Sequence, residues 1–400
     1  MAMEKTAGGV TSVKGVDAAG VHCGIKKNGE KDLALLYCPE PARAAGVFTR
    51  NLFKAPPLLV TEQHVKMPTR AVIINSGNAN ACTGEQGFKD AMATAELVAE
   101  KLGIAPAEVL VSSTGVIGVY LPMDRMAQGV DKAVDSLSNT GGNDAACAIM
   151  TTDTVPKESA YTVDSGGHSF TVGGMAKGSG MICPDMATML AFIYTDLDIS
   201  REGLQKALNR VVEQSFNLVT VDGDTSTNDM VLLLSTGASG IKVEEEAPLW
   251  ADFENALFQV CQDLAYRIVS DGEGVTKVIR LSVKGASDYQ VARTLARAVL
   301  NSCLVKTAFF GEDANWGRII TAMGYSGAEF NPSKVDIFLG DVQVTDQGAG
   351  VVFDEDKAKK VLQQREVPVL IDLHSGSQEI TAFGCDLSYE YVTINSDYRS

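Results

Sequence analysis

Apolar residues along the chain fall into short blocks separated by longer stretches of 3.6-residue periodicity. Blocks of strand character are Leu33–Cys38, Ala71–Asn75, Val109–Ser113, Phe170–Ala176, Met189–Thr195, Met230–Thr236 and Val278–Lys284. The last third adds Val335–Phe338, Val342–Thr345, Val369–Leu373, Glu379–Phe383 and Tyr389–Ile394. Helical periodicity covers Glu85–Leu102, with Phe88, Met92, Ala95 and Val98–Ala99 on one face and Gly103 as the stop. It also covers Leu121–Leu137, Arg201–Phe216 with Ser200 as its N-cap, Trp250–Val269, Gln290–Ser302 and Glu355–Gln364. Strands and helices do not alternate one for one. The pattern therefore predicts a layered α/β sandwich, with sheets flanked by helices, rather than a βα repeat. Ser138–Asp144, including Gly141-Gly142, Asp164–His168 and Glu244–Pro248 read as surface connectors.

A length of 400 residues implies two domains or one large unit. The formal charge of −16 disfavours nucleic acid and anionic membrane as partners, because both recruit clustered Lys and Arg. Eight cysteines are scattered without a C-x-x-C pair, which suits reduced thiols better than a zinc site or a disulfide framework. The polar, glycine-rich start lacks a secretory apolar core, and no apolar run reaches membrane-spanning length. A cytoplasmic protein is expected.

The chemistry concentrates at Lys177-Gly-Ser-Gly-Met-Ile-Cys-Pro-Asp-Met-Ala-Thr188 and the apolar run after it. A threonine hydroxyl is a poor nucleophile without a base. If the Ala187–Thr188 bond is cut, the new α-amine of Thr188 is that base, with a reference pKa of about 7.7–8.0. Taken alone, the segment also reads as a buried strand entered through a Gly/Pro turn. Thr114-Gly115, at a strand exit, can aim a hydroxyl and a backbone N–H at one point as an oxyanion hole, although Ser/Thr-Gly turns also simply end strands. Asn75-Ser-Gly-Asn-Ala-Asn80 and Thr151-Thr-Asp-Thr154 offer polar groups that either bind a ligand or build turns. Glu273 stands between two glycines, able to present a carboxylate to an amine, and Phe310–Arg318 combines charge with an aromatic.

Other chemistries fail on spacing. There is no G-x-S-x-G elbow, no Walker A loop and no third glycine after Gly348-Ala-Gly350. The four histidines do not stand at metal-ligand spacing, so no metal is expected; His374 beside Asp372 and Ser375 is the best seed for a Ser/His/Asp group.

Taken in order, these segments resemble the ornithine acetyltransferase (glutamate N-acetyltransferase) family of arginine biosynthesis. The shared pieces are Asn75–Asn80, Ser113–Gly118, Thr151–Thr154, Lys177–Met181 with Met186–Leu190, Asp271–Lys277, Gly311–Arg318 and Tyr391–Asn395. The resemblance implies the layered α/β fold shared with self-processing aminopeptidases. It implies cleavage between Ala187 and Thr188 into an α chain, residues 1–187, and a β chain, residues 188–400, assembled as an α2β2 heterotetramer. It also implies Thr188 as nucleophile and Thr114 and Gly115 as oxyanion donors. Thr154, Lys177, Thr188, Glu273, Asn395 and Ser400 are the implied substrate contacts, with Ser400 standing where relatives often carry threonine. The implied substrates are N2-acetylornithine and glutamate, with no cofactor. Some members also accept acetyl-CoA as donor, which no residue here decides. The competing enzyme class is an N-terminal-nucleophile aminopeptidase or amidohydrolase with water as acceptor.

Overall fold

The computed structural model describes residues 2–183, 189–245 and 247–397. Ala187, Thr188 and Ser400 lie outside the described residues.

Among the described residues, nine strands form one sheet. From one edge they run Ala2–Thr6, Lys157–Ser165, His168–Lys177, Leu190–Thr195, Met230–Ser235, Leu33–Phe48, Thr69–Asn78 and Val109–Val116. Asp17–Val21 also pairs with Leu33–Phe48. That long strand belongs to both halves of the sheet. Leu33–Tyr37 pairs with Asn75–Ala71, whereas Arg43–Phe48 pairs with Ser235–Met230. The register slips between Tyr37 and Ala42, across Cys38-Pro39-Glu40-Pro41, where two prolines cannot donate to a ladder.

The two halves fold over one another, and side-chain alternation shows the layers. In Leu190–Thr195, Ala191 and Ile193 pack in one cluster with the helices Arg201–Gln214 and Pro248–Ser270. Leu190, Phe192 and Tyr194 pack in a second cluster with Ala34, Leu36, Ile74 and Leu110 of the opposite half. On the far side of that half, Leu33, Leu35 and Ile73 meet the helices Gly84–Leu102 and Met123–Asp135. The result is helix, sheet, sheet, helix, the predicted layered α/β class. Strands buried on both faces have no polar side, which is why they read as unbroken apolar runs.

A second sheet has the order Ala349–Gly350, Val342–Asp346, Asp336–Leu339, Glu366–Asp372, Val278–Ala286, Gln378–Cys385. Tyr289–Asn301, Cys303–Phe310 and Trp316–Gly324 cover it. No helix among the described residues is long and apolar enough to cross a membrane.

Two expectations are corrected. Tyr389–Ile394 is part of a helix, Tyr389–Asp397. Its half-buried positions are Tyr391 and Ile394, three apart, where a strand would bury alternate residues. Gly141-Gly142 is buried, and Gly142–Ala148 is helical. A Cβ at Gly141 would stand 1.9 Å from the Ala18 carbonyl, so this glycine serves close packing against Asp17–Val21.

Candidate active site

Separate strand ends converge on one cavity. Val109–Val116 brings Thr114 and Gly115, His168–Lys177 brings Lys177, and Thr151 and Met189 complete that wall. Met189 is the residue after Thr188, and Leu190 pairs with Lys177 across antiparallel strands.

The Thr114-Gly115 turn tolerates no side chain at its second position. Gly115 has φ +129°, and a Cβ there would approach the Gly77 carbonyl carbon to 2.4 Å and the Asn78 nitrogen to 2.5 Å. Only glycine permits this approach of two parallel strand ends. Asn75–Asn80 builds the support beneath. The Ser113 hydroxyl donates to Asn75 Oδ1 at 2.5 Å, Asn75 Nδ2 donates to the Asn78 carbonyl at 2.8 Å, and Asn80 Nδ2 donates to the Gly87 carbonyl at 2.8 Å. These side chains are engaged in turns rather than directed at a ligand.

Lys177 is buried, and its ammonium donates to Thr151 Oγ1 at 2.7 Å and stands 3.8 Å from Asp153 Oδ2. Burial pulls its pKa down, and Asp153, Asp229 and Glu273 oppose that shift. Behind it lies a closed ionic group. Lys157, fully buried, donates to Asp153 Oδ1 at 2.7 Å and Asp271 Oδ2 at 2.6 Å. Burial raises the Asp153 pKa, but Lys177 and Lys157 outweigh it and hold this carboxyl well below the usual range. Replacing Lys157 by methionine leaves two inward carboxylates without their shared cation. A loss of about 3–5 kcal/mol is expected, read as a lower urea-unfolding midpoint.

From Gly178 to Ile182 the chain is tied down at most residues. The Gly178 N–H donates to Asp153 Oδ1 at 2.7 Å and the Ser179 hydroxyl to the Asp271 carbonyl at 2.6 Å. The Met181 and Ile182 N–H groups donate to Asp222 at 2.6 and 2.9 Å. Met181 has φ +57°, an uncommon region for a residue with a side chain. Glu273 lies against this loop: its N–H donates to the Ser179 carbonyl at 3.1 Å, and a Cβ on Gly180 would stand 2.4 Å from its carboxylate. Asn395 Nδ2, from the last helix, donates to Glu273 Oε2 at 2.7 Å. Gly180 is part of the cavity wall, so the Glu273–Asn395 pair sits directly behind it.

A model of the ArgJ family matches residues 17–400. The chain belongs to the ArgJ family. It is 53% identical over 402 residues to the arginine biosynthesis bifunctional protein ArgJ of Symbiobacterium thermophilum, covering 100% of each. Over 392 residues it is 48% identical to the ArgJ protein of Geobacter sulfurreducens, covering 97% of this chain and 100% of that one. Among solved structures, the ArgJ protein of Bacillus halodurans matches with a TM-score of 0.51 and 45% identity, covering 53% of this chain and 100% of that chain.

Of the residues that the ArgJ resemblance singled out, Thr114, Gly115 and Lys177 share the cavity. Glu273 and Asn395 stand one layer back, and Thr188, Ala187 and Ser400 fall outside the described residues. Thr154 is placed apart from them. It is exposed, its N–H donates to Asp271 Oδ2 at 3.0 Å, and its hydroxyl donates to Asp271 Oδ1. Thr151, three residues earlier, faces the cavity instead. His374 is half-exposed and pairs with Asp336 at 2.7 Å, while the Ser375 hydroxyl donates to the Leu373 carbonyl. In Phe310–Arg318, Asn315 caps the helix Trp316–Gly324 and Lys277 pairs with Glu312 at 3.2 Å. The segment that sequence reasoning missed is Ser226-Thr-Asn-Asp229, which forms one wall of the cavity. Its signal is a polar run ending directly at a buried strand, Met230–Ser235.

Proposed function

We propose that this chain is an acetyltransferase of arginine biosynthesis that moves the acetyl group of N2-acetyl-L-ornithine to L-glutamate through an acetyl-Thr188 ester. The observation that carries the reading is the convergence of Thr114-Gly115, Lys177 and Met189, the residue following Thr188, on one cavity. Family membership and the relatives' names, which place them in arginine biosynthesis, support the pathway.

In this scheme the Ala187–Thr188 bond is cleaved first, leaving chains 1–187 and 188–400 in an α2β2 assembly. The fully covered Bacillus halodurans chain matches 53% of this sequence, and residues 188–400 are 213 of its 400 residues, the same share. Thr188 Oγ then attacks the acetyl carbonyl while its α-amine takes the proton. The Thr114 hydroxyl and the Gly115 N–H hold the tetrahedral oxyanion. Collapse expels ornithine, which takes the proton with it. The glutamate amine attacks the ester, N-acetylglutamate leaves, and Thr188 Oγ recovers its proton, a ping-pong cycle. Lys177 meets the substrate carboxylate. Glu273, held by Asn395, meets an ammonium group, and Ser400 completes the contacts inferred from the resemblance. The relatives are named bifunctional, and the proposal extends to acetyl-CoA as a second donor for glutamate.

The deciding assay follows N2-acetylornithine consumption with and without glutamate. Acetyl transfer makes consumption depend on glutamate; equal loss without it indicates water as acceptor and overturns the reading. Acetyl-CoA with glutamate alone tests the second donor. Charge reversal at Lys177 or Glu273 is expected to raise KM about tenfold or more, in line with the loss of a charge-assisted contact worth about 1.5–3 kcal/mol. An unchanged KM at either position would remove that residue from the site.

A further inference from the structure

Asn228 has no part in the acetyl-transfer scheme, yet it lines the cavity and its side chain reaches the backbone around Thr114-Gly115. It is 5% exposed, and its Nδ2 donates to two carbonyls, Ala79 at 2.6 Å and Ser113 at 2.9 Å. Its Oδ1 accepts from the Thr227 hydroxyl at 2.6 Å. The amide orientation is fixed, because the flipped form would set an oxygen against both carbonyls.

Both carbonyls flank the Thr114-Gly115 turn. Ser113 immediately precedes Thr114, and the Ala79 N–H donates to the Val116 carbonyl at 2.9 Å, just after Gly115. Since a peptide unit is planar, holding the Ser113 oxygen sets the plane from which Thr114 and then the Gly115 N–H project. In the other direction, Asn228 stands two residues before Met230. Met230 pairs with Leu190, and its N–H donates to the Met189 carbonyl at 3.1 Å. Asn228 therefore ties the lead-in of Met230–Ser235, whose backbone pairs with Leu190–Thr195, to the strand end that carries Thr114 and Gly115.

We propose that Asn228 is a positioning residue for acetyl transfer, whose amide holds the Thr114-Gly115 turn in register with the start of Met230–Ser235. This rests on the acetyl-transfer reading above. If the chain is cut at Thr188, residue 228 belongs to the second fragment while Ala79 and Ser113 belong to the first, so the alignment is made between fragments.

The isosteric Asn228→Asp protein keeps the volume and replaces two donors with a carboxylate facing two carbonyls. Its kcat for acetyl transfer is expected to fall about 10²-fold, the scale of a misplacement of order 1 Å, with KM within about threefold of the parent. Asn228→Ser, which retains one donor, is expected to fall between the two, and it serves as the deciding variant if the Asp protein does not fold. A parent protein inactive with acetylornithine and glutamate would sink the transfer reading itself. An active parent with an unchanged kcat in the Asp variant, or in the Ser variant where the Asp protein does not fold, would overturn the positioning role alone. A KM rise at constant kcat would also overturn it, because Asn228 would then be a direct substrate contact.

Discussion

The Thr188→Ala protein is expected to run as a single 42.4 kDa chain on a denaturing gel and to show no acetyl transfer. The parent should separate into two fragments whose intact masses locate the cut between Ala187 and Thr188. Removing the nucleophile of a covalent mechanism deletes a whole half-reaction, so the loss should be at least about 10³-fold. Thr188→Ser keeps a hydroxyl beside the prospective α-amine and should still be cleaved and retain part of the rate. An uncut parent with full activity, or a cut elsewhere, would defeat the mechanism. An uncut Thr188→Ala protein with full activity would defeat it as well.

Gly115→Ala should have the next largest effect. The added methyl would meet Gly77 and Asn78 backbone atoms at 2.4 and 2.5 Å, and φ of +129° is closed to alanine in any case. Backbone on both sides is fixed by the Asn75 and Ser113 hydrogen bonds, so the turn itself must yield. Displacing one oxyanion donor costs about 10²–10³ in kcat, and the displacement should appear there rather than in KM. Steady-state kinetics on the purified variant, with its thermal midpoint measured alongside, separates a lost donor from a lost fold. A kcat within a factor of about three of the parent would exclude this turn as the oxyanion hole, given that scale of loss.

The layers were legible in the sequence because their central strands are covered on both faces. Leu190–Thr195 and Met230–Ser235 have no solvent side, so their apolar runs stand out. Ala2–Thr6 escaped notice for the opposite reason: it is an edge strand of Ala-Met-Glu-Lys-Thr with exposed side chains. Its strand conformation comes from pairing with Lys157–Ser165 and not from its own pattern. The helix Pro56–His64 is buried almost all round, which leaves no polar stripe to reveal its period.

The candidate site was legible where chemistry and backbone geometry coincide. Gly115 and Lys177 stand at strand ends, and those ends meet. Thr151 and Thr154 could not be told apart, because only the tertiary ties of Asp153 and Asp271 decide which hydroxyl faces inward. The Ser226–Asp229 wall showed only a polar run before a strand, for a related reason. Asn228 serves backbone 115 and 149 residues away in sequence, and no local pattern records such partners.

The place of Leu190–Thr195 in the sheet bears on how the molecule is made. It lies between His168–Lys177 and Met230–Ser235, and Met230–Ser235 in turn lies against Leu33–Phe48. Two strands from after residue 188 are thus threaded between strands from before it, with neighbours from the first segment on either flank. A cut before residue 189 would therefore release nothing, because the segments are interleaved like fingers of clasped hands. Conversely, halves synthesised apart would each present raw central ladders to solvent, so this strand order favours folding ahead of any cut between them.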